Sequence, residues 1–231
     1  MMNATSSVPP ASARYITIHP WLVRVTHWIN ALAMLVMVLS GWRIYNASPL
    51  FSFRFPAEFT LGGWLAGALQ WHLAMMWVVA INSFLYFAYG VASRHFRHQL
   101  SPVTRSQLHD DIRRAVTFKL EHRPGVYNAI QRAAYGGVIC VVLLLIVSGL
   151  ALWKPMQLQE LAWLLGGYEG ARLVHFFAMC LLVAFVAIHV FMVLIVPKTL
   201  LSMITGKAKV PAPTPQSSYA NFPNTESGDA L

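Results

Sequence analysis

"RLVHFFAMCLLVAFVAIHVFMVLIV", residues 172–196, decides how this chain is read. The stretch is apolar throughout apart from Arg172 at its start and two histidines, His175 and His189. A helix needs about 20 mostly apolar residues to cross a bilayer, and this run supplies them with no polar face to turn toward water. Fourteen positions separate His175 from His189. At 3.6 residues per turn that is close to four turns, so both imidazoles point to nearly the same side of the helix, roughly 21 Å apart along its axis. An ionisable side chain inside a span is costly unless it meets a partner, and here there are two, stacked on one face.

The rest of the chain fits such a setting. Of 231 residues, 57% are hydrophobic and only 11% charged, far from the balance of a soluble domain. Three more runs are long and apolar enough to span: about 22–44, 70–92 and 133–153. None alternates as a barrel strand would. Pro155 and Pro197 fall just past the third and fourth runs, where helices stop. The expected fold is therefore an all-α integral membrane protein, a four-transmembrane-helix bundle over residues 21–206. A cytoplasmic segment, 1–20, precedes it, and a Pro-, Ser- and Asn-rich disordered tail, 207–231, follows. No cleavable signal peptide is expected, because residues 1–20 have no apolar core.

Charge sets the expected orientation. Of the 17 Lys and Arg, only Arg43, Arg54, Lys154 and Arg172 fall on the side of the first and third loops. The other thirteen sit in the N-terminal segment, the middle loop and the tail. The positive-inside rule then puts both termini in the cytoplasm of a bacterial inner membrane. The net charge of +9 comes from residues flanking apolar runs, not from one basic face, so lipid and not nucleic acid is the expected partner. Within the middle loop, "SPVTRSQLHDDIRRAVTFKL" (101–120) has the pattern of a short amphipathic surface helix. Cys140 and Cys180 lie inside spans without metal-ligand spacing and read as apolar fillers.

Nine histidines are present, of which His19, His95, His98, His109 and His122 lie in polar segments. The other four form two levels. His27 opens the first span and His189 lies late in the fourth, both toward the cytoplasm. His72 opens the second, antiparallel span and His175 lies early in the fourth, both toward the outside. Two imidazole pairs stacked in a four-helix bundle match the axial ligands of two b-type haems. A lone zinc would draw its ligands to one centre instead. Gly41, Gly62, Gly63, Gly67, Gly136, Gly137, Ser148 and Gly149 could thin the helices beside such bulky groups. Arg24 and Arg172, each one turn before a ligand histidine, are candidate partners for haem propionates. The chain has no C-x-x-C-H motif, so attachment would be non-covalent.

The segments "HPWLVRVTHWINA", "WHLAMMW", "YNAIQRAAY", "LVHFFAMCLLVAFVAIHV" and "SMITGK" resemble the bacterial di-haem cytochrome b561 superfamily over about residues 18–207. That superfamily includes nickel-iron hydrogenase b-type cytochromes, the formate dehydrogenase gamma subunit and thiosulfate-reductase cytochrome b subunits, the last being the nearest likeness. The resemblance implies electron transfer between membrane quinone and a periplasmic oxidoreductase subunit, the expected partner being a molybdopterin enzyme, with His27, His72, His175 and His189 at the haem-ligand positions. It also implies a quinone site at Asn128, with Gln131 beside it, by likeness to a "YNAGQK"-type stretch whose glycine is Ile130 here. Two alternatives stand beside this reading. One is a self-sufficient superoxide:quinone oxidoreductase, with Arg43, Arg54 and Lys154 attracting the anion. The other is a haem-free membrane anchor or assembly protein.

Overall fold

The computed structural model describes residues 14–93, 105–116 and 129–210. Four long helices dominate: α1 (Trp21–Ala47), α2 (Leu65–Ala92), α4 (Ala129–Trp153) and α6 (Gly167–Ile195). All four are long and apolar enough to cross a membrane. Each begins before the run read from sequence: α2 at Leu65 instead of 70, and α6 at Gly167 instead of 172. Hydropathy marks where lipid begins, whereas a helix runs on into the polar boundary until its hydrogen-bond ladder is broken. Three shorter helices join them: α3 (Arg105–Val116) in the middle loop, α5 (Gln159–Leu164) and α7 (Pro197–Thr205). The helix α3 falls inside the amphipathic stretch expected there.

The long helices pair as two hairpins, α1 against α2 and α4 against α6, and close backbone contact across the hairpins is sparse. Within each hairpin the least accessible positions are small: Ala33, Ala68, Ala151, Ala171 and Ala178 are all nearly inaccessible. Small residues let backbones approach where lipid offers no hydrophobic drive to assemble. Among the described residues the largest fully buried side chains are Ser40 and Ser148. Leu32, Ile81, Phe84, Leu143, Leu181 and Leu194 are all exposed, which an apolar solvent tolerates and water would not. Protein side chains thus leave the space between the hairpins without a large apolar core.

One end of the bundle carries the first and last described segments. Strand β1 (Arg14–Thr17) pairs antiparallel with β2 (Lys207–Val210), Tyr15 opposite Lys209. The tail expected from residue 207 therefore starts with four ordered residues, while 211–231 lie outside the described residues. Pro197 does more than end α6. It sits in the first turn of α7, where its missing N–H costs nothing. Gly206 closes α7 at φ 79° with its N–H on the Ser202 carbonyl at 2.8 Å. The Gly206 carbonyl then accepts from Ile18 and His19. A side chain at 206 would meet the His19 carbonyl at 2.9 Å and the Arg24 guanidinium at 3.1 Å. Locally favourable punctuation at Pro197 and Gly206 therefore brings the two strands together at what we call the sheet end.

At the opposite, loop end, Trp42, Tyr45, Phe51, Phe53, Phe55, Phe176 and Phe177 form a ring cluster with centroid separations of 4.6 Å (Trp42–Phe55) to 6.3 Å (Phe53–Phe176). Asn46 fastens the first loop to it. Its Nδ2 donates to the Phe55 carbonyl at 2.8 Å and its Oδ1 accepts from the Phe55 N–H at 2.9 Å. Each bond contributes about 1 kcal/mol net, so Asn46→Ala should weaken loop closure by roughly 2 kcal/mol. Faster hydrogen exchange at the Phe55 amide, with helix content unchanged, is the expected readout; unchanged exchange would mean the rings alone hold the loop.

Candidate haem-binding site

The structure brings the four span histidines together in the pairs expected. The His27 and His189 ring centroids are 6.1 Å apart at the sheet end, and those of His72 and His175 are 6.4 Å apart at the loop end. Each pair joins α1 or α2 from one hairpin to α6 of the other. A metal–nitrogen bond of about 2.0 Å plus about 1.1 Å to the ring centre places two imidazoles on opposite sides of one metal roughly 6.2 Å apart, centre to centre. Both observed separations lie close to that value. The rings neither stack nor hydrogen bond to each other, being inclined by 63° and 66°. Porphyrin nitrogens fill four iron positions and leave two axial ones, so histidines converging in twos fit that group. Among the described residues no cluster of three or more metal-ligating side chains forms.

The loop-end pair is seated by a repeated device. Ser40 and Gly41 on α1 face His72, and Ser148 and Gly149 on α4 face His175. The Nδ1 of His72 lies 3.0 Å from the Met37 carbonyl and 3.2 Å from Ser40 Oγ. The Nδ1 of His175 lies 2.9 Å from Ser148 Oγ. A Cβ added at Gly41 would come within 3.4 Å of His72 Cε1, and one at Gly149 within 3.3 Å of His175 Cε1. Glycine here leaves the rings room, and neither position has an unusual backbone angle. Of the thin positions expected from sequence, Gly41 and Gly149 lie against histidines. Gly62 and Gly67 instead shape the turn into α2, where Gly62 has φ 106° and an added Cβ would strike the Ala68 backbone at 2.4 Å. Gly63, Gly136 and Gly137 face open space.

The sheet-end pair is more open. His27 is half-buried and His189 exposed, and no described residue hydrogen bonds to either ring. An exposed imidazole in an apolar helix is unfavourable without a partner. Phe185 stacks on His189 at 6.1 Å and Trp28 meets His27 edge-on at 5.5 Å. Level with His27, Asn82 of α2 is buried and donates to the Thr26 carbonyl at 2.8 Å.

The two arginines expected to meet propionates differ. Arg24 hydrogen bonds to the Ile204 carbonyl, and its buried Nε has no partner among the described residues. It therefore keeps a donor for an anionic group. Arg172 is already engaged, with Glu169 at 2.9 Å and with the Ser48 carbonyl and hydroxyl. Trp42 Nε1, a buried donor likewise without a described partner, was not singled out from sequence. Of the quinone-site candidates, Asn128 lies outside the described residues. Gln131 is half-buried in the first turn of α4. That turn is held by α3: Asp111 Oδ2 accepts from the Ala129 N–H at 2.6 Å, and Gln107 Oε1 from Arg132 at 3.3 Å. A carboxylate at a helix start also complements the helix dipole. Cys140 and Cys180 are free and exposed.

The prokaryotic cytochrome b561 family model matches residues 18–206, which contain every helix described above. The chain belongs to the prokaryotic cytochrome b561 family. It is an integral membrane b-type cytochrome, as the four spans and the family together imply. It is 48% identical to the putative protein-methionine-sulfoxide reductase subunit YedZ1 of Azospira oryzae, over 84% of this chain and 99% of that protein. It is 24% identical to the cytochrome b556(fdo) subunit of formate dehydrogenase from Escherichia coli, over 79% and 81% of the two chains. A probable Ni/Fe-hydrogenase B-type cytochrome subunit of Bradyrhizobium diazoefficiens is 25% identical over 73% and 74%. These relatives are named as subunits of three different oxidoreductases, and two of the three names give a cytochrome.

Proposed function

We propose that this cytochrome b561 family member holds two haems b and carries electrons between membrane quinone and a redox protein docked at the loop end. The observation that carries the reading is the pair of histidine couples, at 6.1 and 6.4 Å, stacked along α6. His27 with His189, and His72 with His175, would be the axial ligands, and Arg24 a propionate partner. Each haem supplies a reversible one-electron couple. The chain's own residues orient the imidazoles, exclude water and match charge. The sheet end would face the cytoplasm and the loop end the periplasm, as the excess of Lys and Arg at the sheet end supports.

At the sheet end, Asn128 and Gln131 are proposed to bind the quinone head group. Amide side chains both donate and accept, which suits a carbonyl that becomes a hydroxyl. At the loop end, the aromatic cluster and the low charge of the outer loops suit a packed contact. The likeness to YedZ1 supports a partner enzyme that reduces methionine sulfoxide in proteins; we take that partner to be periplasmic and of molybdopterin type. Quinol oxidation releases two electrons and two protons; sulfoxide reduction consumes two of each and yields the thioether and water.

Asn128→Ala should slow quinol-driven haem reduction several-fold at full haem loading, because one lost hydrogen bond is worth on the order of 1 kcal/mol. Arg24→Gln should instead shift a midpoint potential. Unchanged quinol kinetics in Asn128→Ala would move the quinone pocket elsewhere. Superoxide-driven quinone reduction by the isolated chain would replace the partner reading with that of a self-sufficient oxidoreductase.

A further inference from the structure

The same dipeptide, Ser-Gly, faces each loop-end histidine from the partner helix of its own hairpin. Ser40 Oγ donates to the Val36 carbonyl at 2.7 Å, and Ser148 Oγ to the Leu144 carbonyl at 2.6 Å. Each hydroxyl hydrogen is thereby committed to its own helix, four residues back. What the oxygen offers its histidine is a lone pair. An acceptor at 3.2 Å from His72 Nδ1 and at 2.9 Å from His175 Nδ1 requires those nitrogens to carry the proton. The Nε2 lone pair of each ring is then free for a metal. Both serines are fully buried, at 0% exposure, so no water competes for the hydroxyls.

His27 and His189 have no such acceptor among the described residues. The asymmetry has an electronic consequence. A hydrogen bond from the distal ring nitrogen makes an imidazole a stronger donor through the other, and a stronger axial donor favours the oxidised iron.

We propose that Ser40 and Ser148 are positioning residues that fix the tautomer of the loop-end histidines and lower the reduction potential of the haem they hold. The proposal rests on the reading that His72 and His175 share one iron. Serines that merely satisfy their hydroxyls on the preceding turn are common in apolar helices, and serines of that kind would leave the potential unmoved.

The test uses detergent-purified, haem-loaded full chain, titrated potentiometrically while haem content is followed by pyridine haemochrome. Ser148→Ala should shift the reduction equilibrium of the loop-end haem three- to tenfold toward the ferrous form, or roughly 30–60 mV at 59 mV per tenfold for one electron. Ser40→Ala should shift the same haem in the same direction, since in each variant one backbone carbonyl, Met37 beside His72 and Leu145 beside His175, still accepts from the ring. The sheet-end haem should stay put in both. Wild-type potentials in both variants at full loading would overturn the proposal. Loss of the loop-end haem from both variants would overturn the tuning role and leave a purely structural one. Absence of haem from the wild-type chain, or retention of both haems in His175→Ala, would strike the ligand reading itself and is distinguishable from either result.

Discussion

His72→Ala and His175→Ala should each leave one haem per chain, and it should be the same one, with the same spectrum and midpoint potential. His27→Ala and His189→Ala should each leave the other. The expectation follows from the 6.4 and 6.1 Å separations, which assign each histidine a partner on the opposite hairpin. On the proposed ligation, losing one imidazole of a pair leaves the other ring's metal-facing nitrogen in an apolar span without a partner, a cost several times the worth of an ordinary hydrogen bond. Haem content by pyridine haemochrome, together with a redox titration, measures the effect. If His27→Ala and His175→Ala gave matching spectra, the pairing would be wrong. Two haems retained in any of the four variants would remove that residue from the ligand set.

Gly149→Val should empty the loop-end site as thoroughly as removing a ligand, although residue 149 contributes no side chain. A single added carbon already comes within 3.3 Å of His175 Cε1, tight enough that the ring must give by a few tenths of an ångström. The two further methyls of valine leave the imidazole no room in its present position. Gly41→Val, 3.4 Å from His72 Cε1 at its first carbon, should empty the same site from the other hairpin. The alanine variants should load, with a shifted spectrum. Circular dichroism should show the helices intact, separating a blocked site from a lost fold. Full loading and an unaltered spectrum in Gly149→Val would mean that His175 does not hold this position in the haem-loaded protein.

The four helices were legible in the sequence because lipid imposes a simple demand. Each span must satisfy its own backbone and present apolar side chains for a fixed length. The four histidines were legible for the same reason, since an ionisable group in such a span stands out against its neighbours. Their pairing needed only helix rise, turn angle and the alternation of direction. Helix starts were less legible, as at Leu65 and Gly167, where the chain coils before it becomes apolar. The sheet of Arg14–Thr17 with Lys207–Val210 was not legible at all. Four-residue strands nearly two hundred positions apart carry no periodicity of their own, and Pro197 reads in isolation as an end, not as the start of α7.

What the sequence by itself determined was the apolar solvent, the number of apolar helices and the levels of the span histidines, because each follows from composition along a single helix. What only the tertiary structure decided was which neighbours those histidines have. Ser40 and Ser148 look like ordinary small polar residues in their runs, and their hydroxyls acquire a role only when α1 meets α2 and α4 meets α6. Arg24 and Arg172 look equivalent one turn before a histidine, yet Arg172 is drawn to Glu169 and Ser48 while Arg24 keeps a buried nitrogen without a described partner. Contacts between helices depend on rotation and crossing, and a hydrophobic pattern read along one helix does not specify the face of another.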